Sequence, residues 1–290
     1  MHHIRYEVPA EHAGRSVLSV ARGELKVSAG QFRRLKFHQG LWVDGCAVHS
    51  DCRLQAGQVL ELRFEDGGAP VPAGTAPLKV AWEDEDLLIA DKPAPLPSVA
   101  SRQGGETLEN RVYVYLRQPA DFVYRPVNRL DKGTSGLMLI AKNAHIQQRM
   151  QRLLHTDAFM REYLAVLEGV PLLREGRVDL AIGHGPGISR VIDPGGKAAV
   201  TEYALDHVAQ GRSLARLRLL TGRTHQIRVH MKALGCPVVG DFLYGTGVPQ
   251  LPGRFALHAH RLRLVHPLSG VVIDLRSPLP QELAVLMVKL

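Results

Sequence analysis

A chain of 290 residues, 45% hydrophobic and 22% charged, has the make-up of a soluble globular protein with one large domain or two unequal ones. No stretch is long enough to cross a bilayer, and three cysteines (Cys46, Cys52, Cys236) without metal-ligand spacing give neither a zinc module nor a disulfide scaffold. The 36 Lys and Arg against 28 Asp and Glu leave a formal charge of +8, which favours a polyanionic partner such as nucleic acid.

In chain order, residues 1–65 read as a small α/β head. Ser28 is placed to cap a helix from Ala29 to Lys36, with Phe32 and Leu35 inward and Arg33, Arg34 and Lys36 outward. Leu41-Trp42-Val43, the turn Asp44-Gly45 and Ala47-Val48-His49 predict a hairpin, and Val59 to Phe64 a closing strand. Residues 66–78 are rich in Gly, Pro and small side chains and read as a linker to a body spanning 79–290.

The body opens with a buried strand, Leu87 to Ala90, that runs into Asp91-Lys92-Pro93. A second apolar strand, Leu137 to Ala141, follows the turn Gly133-Thr134-Ser135-Gly136. Asn143 caps a helix with Ile146, Met150, Leu153 and Leu154 on one face, and Tyr163 to Leu167 alternates as a strand. Thr224 is placed to cap a last helix carrying Ile227, Met231 and Leu234 and stopping at Gly235. Strands and helices mix without a regular βαβ repeat, so the fold class is α+β. Two basic tracts contain no acid, Lys132 to Thr156 and His207 to Gly240. They read equally as a phosphate-facing surface or as solvated faces paired with acids from elsewhere.

Three segments carry candidate chemistry. In Asn128-Arg129-Leu130-Asp131-Lys132-Gly133, Asp131 is held in a polar turn before a buried strand, flanked by cations that favour a carboxylate ready to attack an electrophile. Taken alone it is equally an aspartate satisfying turn amides. In Arg161-Glu162-Tyr163-Leu164, alternation points Tyr163 into the body, where a core tyrosine is the plainer reading. In Thr221-Gly222-Arg223-Thr224-His225-Gln226-Ile227-Arg228, the Arg223 fork stands at the helix entry, suited to a carboxylate. His225, Arg228 and Lys232 share a face suited to phosphate.

Together these blocks are specific. N-R-L-D-K-G-T-S-G resembles the central signature of the RluA-like family of RNA pseudouridine synthases, and R-E-Y-L-A-V-L-E-G resembles its tyrosine strand. T-G-R-T-H-Q-I-R-V-H-M with G-D-F-L-Y-G resembles its third block, and D-L-L-I-A-D-K-P its first. The order of the head resembles an S-four RNA-binding domain. The resemblance implies a pseudouridine synthase fold, a mixed and largely antiparallel sheet with flanking helices. It implies Asp131 as the catalytic aspartate, Tyr163 stacking on the base and handling the carbon 5 proton, and Arg223 orienting Asp131. Arg129 matches a residue that occupies the gap left by a flipped nucleotide, and Asn128 stands where His is usual. RNA contacts are expected from Arg129, Lys132, Arg228, Lys232, Arg33, Arg34 and Lys36. The expected partner is RNA, ribosomal before transfer RNA, acted on by a cytoplasmic monomer with no metal, cofactor or membrane partner. A non-catalytic RNA-binding factor on the same fold is the rival reading. A hydrolase lacks the G-x-S-x-G elbow, and the histidines 225, 230, 258 and 260 lack H-E-x-x-H spacing.

Overall fold

The computed structural model describes residues 2–25, 27, 29–37, 39–64, 76–100, 105–119, 122–248 and 251–287. They form two compact units, Met1–Val71 with Pro119–Val123, and Pro72–Gln118 with Tyr124–Leu290. Ser28, most of the expected linker and the side chain of Arg34 lie outside the described set.

In the first unit, β1 (His2–Glu7), α1 (Val17–Gly23), α2 (Ala29–Phe37), β2 (Leu41–Val43), β3 (Cys46–Ala47) and β4 (Val59–Phe64) build a four-stranded sheet in the order β1-β4-β2-β3. Asp44 and Gly45 both take positive φ, 48° and 78°, as a tight hairpin turn of this type requires. The Asp44 carboxylate accepts the Val59 amide at 2.8 Å and so locks the hairpin to β4. Phe32 and Leu35 of α2 are buried with Leu41, Val43, Leu60 and Leu62, while Arg33 and Lys36 are exposed. Polar punctuation had hidden β1 and α1 from the sequence reading.

The second unit contains β5 (Val80–Glu83), β6 (Leu87–Lys92), α3 (Leu108–Tyr115), β7 (Ser135–Ala141), α4 (Ala144–Leu153), β8 (Phe159–Glu168) and β9 (Glu175–Asp179). It continues with β10 (Ile182–His184), β11 (Arg190–Ile192), β12 (Val200–Ala209), β13 (Arg212–Leu219), α5 (Gln226–Ala233), β14 (Leu257–Val265), β15 (Val272–Arg276) and α6 (Gln281–Ala284). Nine strands form one sheet in the order β5-β6-β7-β14-β8-β13-β12-β9, with β15 beside β14. Every described pairing is antiparallel except β7 with β14. The α+β expectation holds.

The central strands are buried on both faces, which is why β6 and β7 read as continuous apolar runs. Asn143 caps α4, its side chain accepting the Ile146 amide at 2.9 Å, and the helix buries Ile146 and Met150 against Leu137, Leu139, Phe159 and Leu262. Each such side chain contributes roughly 1.5–3 kcal/mol. Lys92 is fully buried at the end of β6, its ammonium donating to the carbonyls of Pro93, Leu96 and Lys132. These bonds tie the D-K-P segment to the turn after Asp131. Burial pushes this amine down to about 7, although nearby Asp131 pulls it up.

Candidate active site

The turn that carries Asp131 is fixed on three sides. The Ser98 hydroxyl donates to the Leu130 carbonyl at 2.6 Å, the Leu96 amide to the Lys132 carbonyl at 3.0 Å, and the Thr134 amide to the Asp131 carbonyl at 3.0 Å. Beyond it, Thr134 and Ser135 are buried, and Ser135 Oγ sits 2.9 Å from His258 Nδ1 while accepting from Arg254. A Cβ on Gly136 would lie 2.3 Å from the Ala259 carbonyl oxygen, so the chain here needs a glycine, whose φ is +108°. Asn128 is buried, and its side-chain oxygen accepts the Leu139 amide at 2.9 Å. Asn128 therefore braces β7 from within.

The Asp131 carboxylate stands partly exposed in a cleft of about 590 Å³ that Tyr163, Arg129, Lys132, Arg223 and Arg228 also line. One carboxylate oxygen accepts from Arg228 Nη1 at 2.9 Å, and His225 Nε2 lies 3.8 Å from the same oxygen. Arg228 is buried, and its other face forks onto Asp241 at 2.6 and 2.9 Å. The fully buried Asp241 also accepts the amides of Leu243 and Tyr244. The guanidinium carbon lies over two aromatic rings, 4.1 Å from the centre of Phe255 and 5.0 Å from that of Tyr244. The paired acids hold this cation above its usual pKa despite burial.

Two expectations about arginines are corrected. Arg223 does not reach Asp131: it precedes α5, half-buried on the cleft wall, and its Nε donates to the Ala198 carbonyl at 3.0 Å. Arg228, expected at a phosphate, is turned inward by α5 and held between two carboxylates. Thr224 does not cap α5 either. His225 takes that place with φ 59°, a left-handed backbone uncommon outside glycine and Asn, with no side-chain cap bond. The Gln226 side chain accepts the Arg223 amide at 2.9 Å instead. His225 Nδ1 lies 2.8 Å from the Tyr244 hydroxyl, which also accepts the Arg190 amide at 2.7 Å. Asp241, His225 and Tyr244 are functional candidates that the sequence reading had not named in these roles; the G-D-F-L-Y-G block was their signal.

Tyr163 is buried, on β8, beside the cleft. Burial pushes its phenol up, Arg161 pulls it down, and Asp131 pushes it up again. Arg129 and Lys132 are exposed at the cleft, and Lys232 is exposed with its ammonium 5.7 Å from the Tyr244 ring. In the basic tracts, Arg216 pairs with Asp206, and Arg218 lies near Asp157 and Glu202. That part of the surface is partnered by acids from neighbouring segments.

A carboxylate held by a buried arginine in a cleft lined by further cations can serve as a nucleophile, and the surrounding positive charge suits a polyanionic substrate. Residues 86–233 match the family of RNA pseudouridylate synthases. An uncharacterised RNA pseudouridine synthase, YjbO, of Bacillus subtilis is 35% identical over 269 residues, covering 90% of this chain and 95% of the relative. Ribosomal large subunit pseudouridine synthase D of Escherichia coli is 39% identical over 227 residues, covering 71% of this chain and 68% of the relative. The solved structure of human RNA pseudouridylate synthase domain containing 1 is similar at a TM-score of 0.58 and 27% identity, over 71% of this chain and 85% of that one. The chain belongs to the RNA pseudouridylate synthase family and is an RNA-modifying enzyme that isomerises uridine.

Proposed function

We propose that this enzyme acts on ribosomal RNA, with Asp131 as the nucleophilic carboxylate, Tyr163 as the residue that stacks on the target base and Arg228 as the group that orients Asp131. The observation that carries the reading is the Arg228 clamp: it holds one Asp131 oxygen at 2.9 Å while the carboxylate stays partly open to the cleft that Tyr163 lines. The cleft volume, about 590 Å³, falls within the roughly 300–1,000 Å³ usual for ligand sites. A flipped nucleotide fits such a space, and its unstacking cost of a few kcal/mol is offset by stacking and phosphate contacts.

The isomerisation breaks the bond from the uracil nitrogen to the sugar, turns the ring, joins carbon 5 to the same sugar carbon and moves the carbon 5 proton to the freed nitrogen. It requires no net redox change. Asp131 supplies the carboxylate, and the Tyr163 phenol stands beside it to handle the carbon 5 proton. Ribosomal RNA is favoured because the Escherichia coli relative is named for the large ribosomal subunit. We read residues 1–65 as an S-four-like RNA-binding domain, supported by exposed Arg33 and Lys36 on α2 ahead of the β2–β3 hairpin.

The test is conversion of uridine in total ribosomal RNA from cells lacking the gene. Wild-type protein forms pseudouridine, Asp131→Asn forms none while still binding the RNA, and Tyr163→Phe retains stacking but slows conversion by roughly a hundredfold. Conversion by Asp131→Asn at the wild-type rate overturns the assignment.

A further inference from the structure

Arg161 is a buried cation with no part in the uridine isomerisation. It lies on β8 two residues before Tyr163, so the pleat turns both side chains to one face, and both line the cleft. The residue is only 7% exposed. Among the described residues no carboxylate lies within ion-pair distance of its guanidinium. Nη2 reaches the carbonyls of Leu154 and Thr221 at 3.4 Å, and Nε is buried with no hydrogen-bond partner. The other buried arginines of this unit differ: Arg228 holds two acids and Arg254 holds Glu282. An unpaired buried charge costs several kcal/mol, so a fold that keeps one calls for an anion from outside.

The surroundings supply room, a second cation in Arg223 and an imidazole able to donate a hydrogen bond. A Cβ at Gly222 would lie 3.0 Å from Arg161 Nη1 and 3.5 Å from His155 Cε1, so the missing side chain opens space between these two groups. Burial pushes the His155 imidazole down, and Arg161 and Arg223 push it further. Asp131 is the one acid among the described cleft-lining residues, and Arg228 already holds it.

We propose that Arg161, flanked by His155 and Arg223, is a subsite for one backbone phosphate adjacent to the nucleotide whose base lies on Tyr163. The inference rests on the reading of the cleft as an RNA site, and its test is a binding measurement that needs no turnover. Uridine, uridine 5′-phosphate and uridine 3′-phosphate are titrated calorimetrically into wild-type, Arg161→Met and Arg161→Lys protein. Wild-type protein binds one of the monophosphates at least about tenfold more tightly than uridine, a charge-assisted contact being worth that much. Arg161→Met loses the preference, Arg161→Lys keeps part of it, and the salt dependence of RNA binding drops by about one phosphate contact in the Met variant. Without ligand, Arg161→Met melts at the wild-type temperature or above it, because an unpaired charge has been removed. Wild-type protein without a monophosphate preference overturns the proposal, as does a Met variant that retains one. A Met variant that keeps the preference but loses turnover assigns Arg161 to Tyr163 instead. Failure of conversion in the ribosomal RNA assay, with the preference intact, faults the choice of RNA and leaves the phosphate subsite standing.

Discussion

Arg223 and Arg228 differ in what their side chains can reach, and this separates two roles that a motif leaves merged. Arg228 bridges Asp131 and Asp241 with three charge-assisted bonds, whereas Arg223 spends its Nε on a backbone carbonyl. Lysine cannot fork onto one carboxylate while holding a second. Arg228→Lys is therefore expected to lower the rate constant for conversion by a hundredfold or more. It should also destabilise the fold by about 3 kcal/mol, because Asp241 stays fully buried with a weakened partner. Arg223→Lys is expected to stay within about tenfold of wild type in rate, its effect falling on RNA affinity. Initial rates and thermal melts of the two variants decide; the reverse ranking would return Arg223 to Asp131. The sequence placed Asp131 in a turn ahead of β7 and Tyr163 inward on β8 because each sits in a locally shaped segment, while their roles came only from the resemblance. It misplaced the arginine because the partners of Arg228 lie 97 and 13 residues away, where helix periodicity carries no information.

The elements that hold the site meet at the seam of β7 and β14. Hairpins and capped helices such as β2–β3 and α4 were readable from Asp-Gly and Asn143, since their contacts are local. The seam was not, because it is a short parallel pair joining Ser135 to His258 and Gly136 to Ala259 across 123 residues. Gly133 to Gly136 has turn composition, yet Ser135 and Gly136 already belong to β7. Gly136→Ala should cost about 3 kcal/mol or more, since the new methyl meets the Ala259 backbone and cannot be moved aside. Denaturant midpoints read this directly, and a wild-type midpoint would contradict the close approach. The same seam sets an acid limit. Burial pushes the His258 imidazole down to about 4, with the Ser277 carbonyl and Asp91 pulling it up and His260 and Arg254 pushing it down. The unfolded chain takes up that proton near 6.5, so between about 6.5 and about 4 the unfolded state holds more protons and stability falls as the pH falls. The full effect is on the order of 3 kcal/mol. His258→Gln should lose less stability than wild type across this window in urea titrations, and parallel curves would sink the idea.

At the scale of the whole molecule, each compact unit has its own core, around Leu60 and Leu62 in one and around Leu139 and Ile146 in the other. Among the described residues no helix is long and apolar enough to cross a membrane. The positive excess follows chain length and is not concentrated in the head. Residues 1–65 hold nine basic and seven acidic side chains, out of 36 and 28 in the chain, so most of the positive excess lies beyond the head. Deleting residues 1–65 should therefore weaken RNA binding only in part. If exposed Arg33 and Lys36 each meet one phosphate, the slope of log affinity against log salt should become shallower by about 1.4 to 1.8. The Asp131 clamp is built wholly from the second unit, so the truncated protein should still convert uridine, at a higher half-saturating RNA concentration. Filter binding across a salt series, paired with conversion assays at saturating RNA, separates the two effects. Equal affinity and equal slope for the truncated form would reduce the head to a structural role. Lost conversion at saturating RNA, with the melting transition intact, would give the head a part in the chemistry that its cationic helix does not account for.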